Sequence, residues 1–91
     1  MALLQLRSQI DAFDRQIFQT IAERFQVVED IARYKEKFGI ATIQNNRMIQ
    51  QRIALKSDFY ANKDITDDMI DNIMTILMQA AIDKEVKQLN R

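Results

Sequence analysis

Cysteine, histidine, proline and tryptophan are all absent from this 91-residue chain, and glycine occurs once, at Gly39. Without cysteine there is no disulfide framework and no thiolate nucleophile, which is compatible with a reducing, cytoplasmic setting. Without histidine the chain lacks the commonest general base and metal ligand, so an enzyme built from it is expected to need little proton transfer and no metal. The near absence of turn formers argues against a β-rich fold full of tight turns. Charge of either sign is also missing in the net, since 13 basic residues balance 13 acidic ones. No basic footprint for nucleic acid follows from that balance. Neither a charged start followed by an apolar run nor about 18 successive apolar residues is found, so neither a signal peptide nor a membrane span is expected.

What remains is rich in Ala, Leu, Ile, Met, Gln, Lys, Glu and Arg, the residues of long helices. The reading is an all-α, three-helix protomer forming one domain over residues 1–91. The first helical pattern runs over residues 3–38 and stops at Gly39. At 1.5 Å per residue it spans around 50 Å, too long to pack on its own chain alone. Phe18, Phe25 and Ala32 widen its apolar surface, which points to an intertwined or side-by-side homodimer. Residues 40–43 form a connector. Asn45 and Asn46 are expected to cap a second helix over 46–59, with Met48, Ile49, Ile53, Leu55 and Phe59 as a ragged apolar face. Residues 61–65 read as a turn through Asn62, Lys63 and Asp64. Thr66 is a good N-cap, and Asp67 and Asp68 suit the helix dipole. The third helix runs to about residue 89, with Ile70, Ile73, Leu77 and Ala80 expected to face inward.

Cations occur where an apolar face leaves least room for them. The stripe of the first helix reads Leu6, Ile10, Phe13, Ile17, Ile21, Val28, Ile31. Arg24 falls in its middle, Lys35 one turn beyond its end, and Arg7 at its edge. An unpaired cation directed at a core is costly, because protein cannot replace its hydration. Few carboxylates share that helix face, so an anionic ligand is the sharper explanation. Arg24 and Lys35 are about 16 Å apart along the axis and only about 20° apart around it. Arg47, at the start of the second helix, can fold back toward the same cavity. Four cations, Arg7, Arg24, Lys35 and Arg47, would suit a small ligand carrying more than one carboxylate, which guanidinium groups grip through two parallel hydrogen bonds. The bland alternative is that each cation snorkels to solvent or pairs with a carboxylate at an interface.

The opening Leu3-Leu4-Gln5-Leu6-Arg7-Ser8-Gln9-Ile10-Asp11-Ala12-Phe13-Asp14 resembles the start of the all-α chorismate mutases. So do Ile21-Ala22-Glu23-Arg24 and Ile31-Ala32-Arg33-Tyr34-Lys35, and Arg47 keeps the interval from Lys35 seen in that family. The resemblance covers the chain from residue 3 to about 88 and rests on the joint spacing of the four cations. It implies an intertwined homodimer with two active sites. In each, Arg24, Lys35 and Arg47 come from one chain and Arg7 reaches in across the interface. It further implies that Arg7 and Arg24 hold the substrate carboxylates, that Lys35 bonds the ether oxygen of the breaking bond, and that Arg47 lies near the ring. Four positions depart from the family pattern. Gln44 stands where relatives often carry Asp, Met48 where they often carry Glu, Ala81 replaces a small polar residue, and Glu85 falls where many members carry Gln. Met48 removes a hydrogen-bond acceptor near the ring hydroxyl, or else is an apolar residue on the core face of the second helix.

The reaction implied is the pericyclic rearrangement of chorismate to prephenate, in which a C–O bond breaks as a C–C bond forms. It requires no nucleophile, metal or cofactor, only a held, folded dianion and stabilisation of charge on the ether oxygen. Lys35 and Glu85 are expected to flank that oxygen, which requires Glu85 to carry a proton so that it donates. Alternatives on the same fold are an isochorismate-pyruvate lyase, with which Met48 is compatible, and an aminodeoxychorismate mutase, in which Gln44 faces the amino group. From another class comes a non-catalytic helical dimerisation module with interchain salt bridges.

Overall fold

The computed structural model describes residues 2–41 and 44–89, with 88 and 89 described through their backbone only. Three helices make up the fold: α1 (Ala2–Phe38), α2 (Asn45–Asp58) and α3 (Asp67–Leu89). Among the described residues there is no strand. The expected all-α class is therefore observed, and the first helix is as long as its pattern implied.

Each helix end has a local cause. Gly39 adopts φ +64°, the left-handed region, and the Ile40 amide donates to the Lys35 carbonyl at 2.9 Å, closing the last turn of α1. Lys35 and Lys37 place positive charge at that C-terminus, where the dipole favours it. Residues 42 and 43 of the connector lie outside the described residues. The start of α2 differs from expectation. Gln44 is the N-cap, no side chain caps the helix, and Asn45 and Asn46 sit within the first turn. Gln is not among the short side chains that bend back easily onto a first-turn amide. The C-cap is Phe59, so α2 begins and ends one residue earlier than its pattern suggested. In the turn that follows, the Asn62 side-chain oxygen accepts from the Asp64 amide at 2.9 Å. Thr66 caps α3 as expected, its hydroxyl accepting from the Met69 amide at 3.1 Å.

The middle of the structure belongs to α3, on which both α1 and α2 pack. Its buried face is Ile70, Met74 and Met78, joined by Met48 and Leu55 of α2, Ile65 of the turn, and Leu77. This corrects the expected inward set, because Ile73 is 46% exposed and the two methionines take the core positions. A helix pressed between two neighbours is buried along the bisector of both contacts. Flexible thioethers fill that irregular space well. On α2, Ile49 and Ile53 are exposed, so Met48 and Leu55 supply its inward face.

Burial on α1 is confined to its C-terminal half, at Val28 and Ala32. Leu6, Ile10, Phe13 and Ile17 of the expected stripe remain more than half exposed. The cause is length, since α3 is shorter than α1 by roughly 20 Å of helix axis.

Polar contacts hold α2 to α3. One Arg52 nitrogen, Nη1, donates to the Asp71 carbonyl and carboxylate, both at 3.0 Å, and Nη2 donates to the Thr75 hydroxyl at 3.0 Å. Lys56 Nζ reaches the other Asp71 oxygen at 2.9 Å. The hydrogen bond from Lys56, then that from Arg52, holds the Asp71 carboxyl below its ordinary titration range. A carboxylate lowered in this way stabilises the fold fully above its unfolded pKa, and that contribution disappears as pH falls through the lower, folded value. Asp71→Asn should therefore lower the thermal midpoint at neutral pH, with the gap to wild type closing on acidification. Melts at fixed protein concentration across a pH series would check this, and a gap independent of pH would contradict it.

Candidate active site

A cavity of about 280 Å³ opens between the C-terminal half of α1, the start of α2 and the C-terminal half of α3. Helical spacing builds its wall three times over. From α1 come Arg24, Val28, Ile31 and Lys35; from α2, Gln44, Arg47, Met48 and Gln51; from α3, Met78, Ala81, Ile82 and Glu85. Each set recurs at three- and four-residue steps, so each helix turns one face to the cavity.

The expected residues Arg24, Lys35, Arg47, Gln44, Met48, Ala81 and Glu85 are thus brought together. Arg7 is not. It lies exposed on α1, about 25 Å along the axis from Arg24, so its own chain does not deliver it to this cavity. The remaining lining residues carry a weaker sequence signal. Val28 and Ile31 read as core. Gln51 is discoverable only as the residue one turn beyond Arg47, and Met78 and Ile82 only as neighbours of Ala81 and Glu85 on one face.

Lys35 does have a protein anion. Its Nζ lies 3.3 and 3.4 Å from the two carboxylate oxygens of Glu85, and the two side chains are only 13% and 8% exposed. The first helix alone offered Lys35 no such carboxylate, because this one arrives from α3, fifty residues away in sequence. Glu85 is buried, and not the solvated residue of a fraying last turn. Lys84, beside it in sequence, pairs with Glu29 of α1 at 2.9 Å. That second pair is half-exposed and contributes little by itself, but it crosses from α3 to α1 next to the first.

Arg24 is different. Its Nη1 is buried and has no hydrogen-bond partner among the described residues. A buried guanidinium nitrogen without an acceptor is an unfavourable arrangement that a bound carboxylate would relieve. Arg47 is exposed at the cavity mouth. Met48 packs against the core cluster and also lines the cavity. Among the described residues no three His, Cys, Asp or Glu side chains are grouped to hold a metal ion. Chemically, the cavity combines cationic and hydrogen-bonding groups with the apolar side chains of Val28, Ile31, Ala81 and Ile82.

Residues 6–86 match the family model for chorismate mutase type II. That match takes in all three helices and every cavity residue named above, and the chain belongs to this family. Comparison with curated proteins and with solved structures produced no match. No helix of the described residues is long and apolar enough to cross a membrane.

Removing one member of a buried ion pair strands the other's charge, whereas replacing both by apolar groups does not. Glu85→Ala is accordingly expected to destabilise the protein by about 3 kcal/mol in chemical denaturation. The double variant Lys35→Met/Glu85→Met should recover most of that loss. Equal stability of wild type and Glu85→Ala would show that the pair is not held in solution.

Proposed function

We propose that the protein is a chorismate mutase, rearranging chorismate to prephenate as a step toward aromatic amino acids. The observation that carries this reading is the buried Arg24 Nη1, without an acceptor among the described residues, in one cavity with the Lys35–Glu85 pair in a chain from this family. Arg24 takes a substrate carboxylate through its planar fork, and its burial keeps water from competing for the same hydrogen bonds. Lys35 donates to the ether oxygen as the C–O bond lengthens and charge accumulates there. Fixed donors in a cavity with apolar walls need no reorientation when that charge develops, which is where much of the barrier lowering originates. Even modest enzymatic acceleration calls for about 8 kcal/mol. The apolar belt of Val28, Ile31, Ala81 and Ile82 restricts the enolpyruvyl arm to a folded pose over the ring, the orientation part of the task.

Arg7 enters this scheme from a second copy of the chain. Support comes from the N-terminal half of α1, whose apolar stripe is exposed, and from the distance that separates Arg7 from its own cavity. In such a homodimer one chain's α1 is covered by its partner, and each cavity gains a further cation for the second carboxylate.

Purified protein should convert chorismate to prephenate, and Arg24→Ala should lower kcat/KM by at least about 100-fold with helicity retained, a loss of roughly 3 kcal/mol in transition-state binding. Mixing Arg7→Ala with Arg24→Ala chains should restore activity, since one site of the mixed dimer would carry both arginines. Pyruvate release from isochorismate with chorismate untouched would replace the mutase by a lyase. Inertness toward both would leave a helical dimerisation module.

The role of Glu85 carries its own test. An ionised carboxylate repels a developing oxyanion, so Glu85, the partner of Lys35 in an ion pair when the cavity holds no ligand, would assist the ether oxygen only on taking up a proton. Glu85→Gln, which keeps a hydrogen-bond donor at this position, should retain kcat/KM, and Glu85→Met, which removes it, should lower kcat/KM. Equal kcat/KM for wild type, Glu85→Gln and Glu85→Met would remove Glu85 from the mechanism.

A further inference from the structure

The cavity is uneven in charge. Glu85 is the only carboxylate among the described residues that line it, and it stands against Lys35 at the α1–α3 side. The α2 side has the positive Arg47, the amides of Gln44 and Gln51, and the thioether of Met48. Arg47 has no ion-pair partner among the described residues, and Gln51 has no side-chain hydrogen bond there. Gln51 is half-buried one turn beyond Arg47 on the same face, and Met48 beside it has no proton to donate and only a weak acceptor.

From this we infer that Gln51 is a specificity-determining residue, selecting a substrate whose ring carries a neutral hydroxyl over one carrying an ammonium group. The inference rests on the chorismate mutase reading and concerns the ring end of that site. A primary amide offers both a donor and an acceptor to a hydroxyl, so either orientation of the hydroxyl finds a partner. An ammonium group can use only the amide oxygen. It also meets the Arg47 cation in a cavity whose one carboxylate among the described lining residues, Glu85, is already paired with Lys35, an arrangement that rejects by like charge and unsatisfied hydration. A carboxylate in place of the Gln51 amide would reverse the electrostatic preference at one atom's change in composition and nearly constant volume.

The test uses two ligands that cannot rearrange. One is the lactyl-ether form of chorismate, with its side-chain double bond reduced; the other is the same compound with the ring hydroxyl replaced by an amino group. Their dissociation constants are measured by calorimetry for wild type, Gln51→Glu and Gln51→Leu, with chorismate turnover followed in parallel. Wild type should prefer the hydroxyl compound by about tenfold or more. Gln51→Glu should shift the ratio of the two constants toward the amino compound by at least about tenfold. Gln51→Leu should weaken the hydroxyl compound several-fold without gaining the amino one. A wild-type preference for the amino compound, or a ratio unchanged in Gln51→Glu, overturns the inference even if chorismate is turned over. The expected ratios without prephenate formation uphold it and overturn the mutase reading instead.

Discussion

The contact on which the site depends is the buried pair of Lys35 and Glu85. It joins the last turns of α1 to the C-terminal half of α3, and its two side chains are almost closed to solvent. Charges so placed must find each other, because neither retains its hydration. Their registry therefore constrains how far α3 slides along α1, and with it the positions of Met78, Ala81 and Ile82 opposite Arg24, Val28 and Ile31. The neighbouring Glu29–Lys84 bridge, with Lys84 also 5.9 Å from the Phe25 ring, crosses in the opposite charge sense.

The third helix does two jobs with different chemistry. Toward α2 it presents Ile70, Met74 and Met78 as a small core, bounded by the Arg52, Lys56, Asp71 and Thr75 contacts. Toward α1 it presents the cavity wall. Met78 belongs to both, since it is part of the core, lines the cavity, and lies 3.8 Å through its sulfur from Arg52 Nη2. Core packing and site geometry are coupled through that side chain. The small core leaves the chain short of buried apolar surface, and the exposed stripe on α1 holds more of it than the protomer can cover. A homodimer, as proposed, would supply the missing cover and the missing arginine at once.

Arg24 and Lys35 were both legible as misplaced cations on an apolar stripe, yet their surroundings differ. Lys35 is answered by the protein's own carboxylate, while Arg24 Nη1 is answered by nothing among the described residues. Periodicity places a residue on a face of its own helix and says nothing about what faces it from another. That is also why Ile70 and Leu77 of the expected inward set of α3 reach the core while Ile73 does not, and Met74 and Met78 do. The hydrophobic pattern marks several faces of α3 as apolar, and only the packing of α1 and α2 around it decides that Met74 rather than Ile73 is enclosed.

By itself the sequence determined the three helices, the stop at Gly39, the cap at Thr66, and the intervals that set Arg24, Lys35 and Arg47 on particular faces. These follow from interactions between residues a few positions apart, where backbone geometry leaves little choice. Tertiary structure alone decided the junction of Lys35 with Glu85, the isolation of the Arg24 nitrogen, the dual place of Met48, and the presence of Gln51 in the cavity wall. Each of these depends on how helices separated by long stretches of chain are rotated and stacked against one another. Short-range periodicity cannot specify that rotation, because it is settled by the packing of all three helices together.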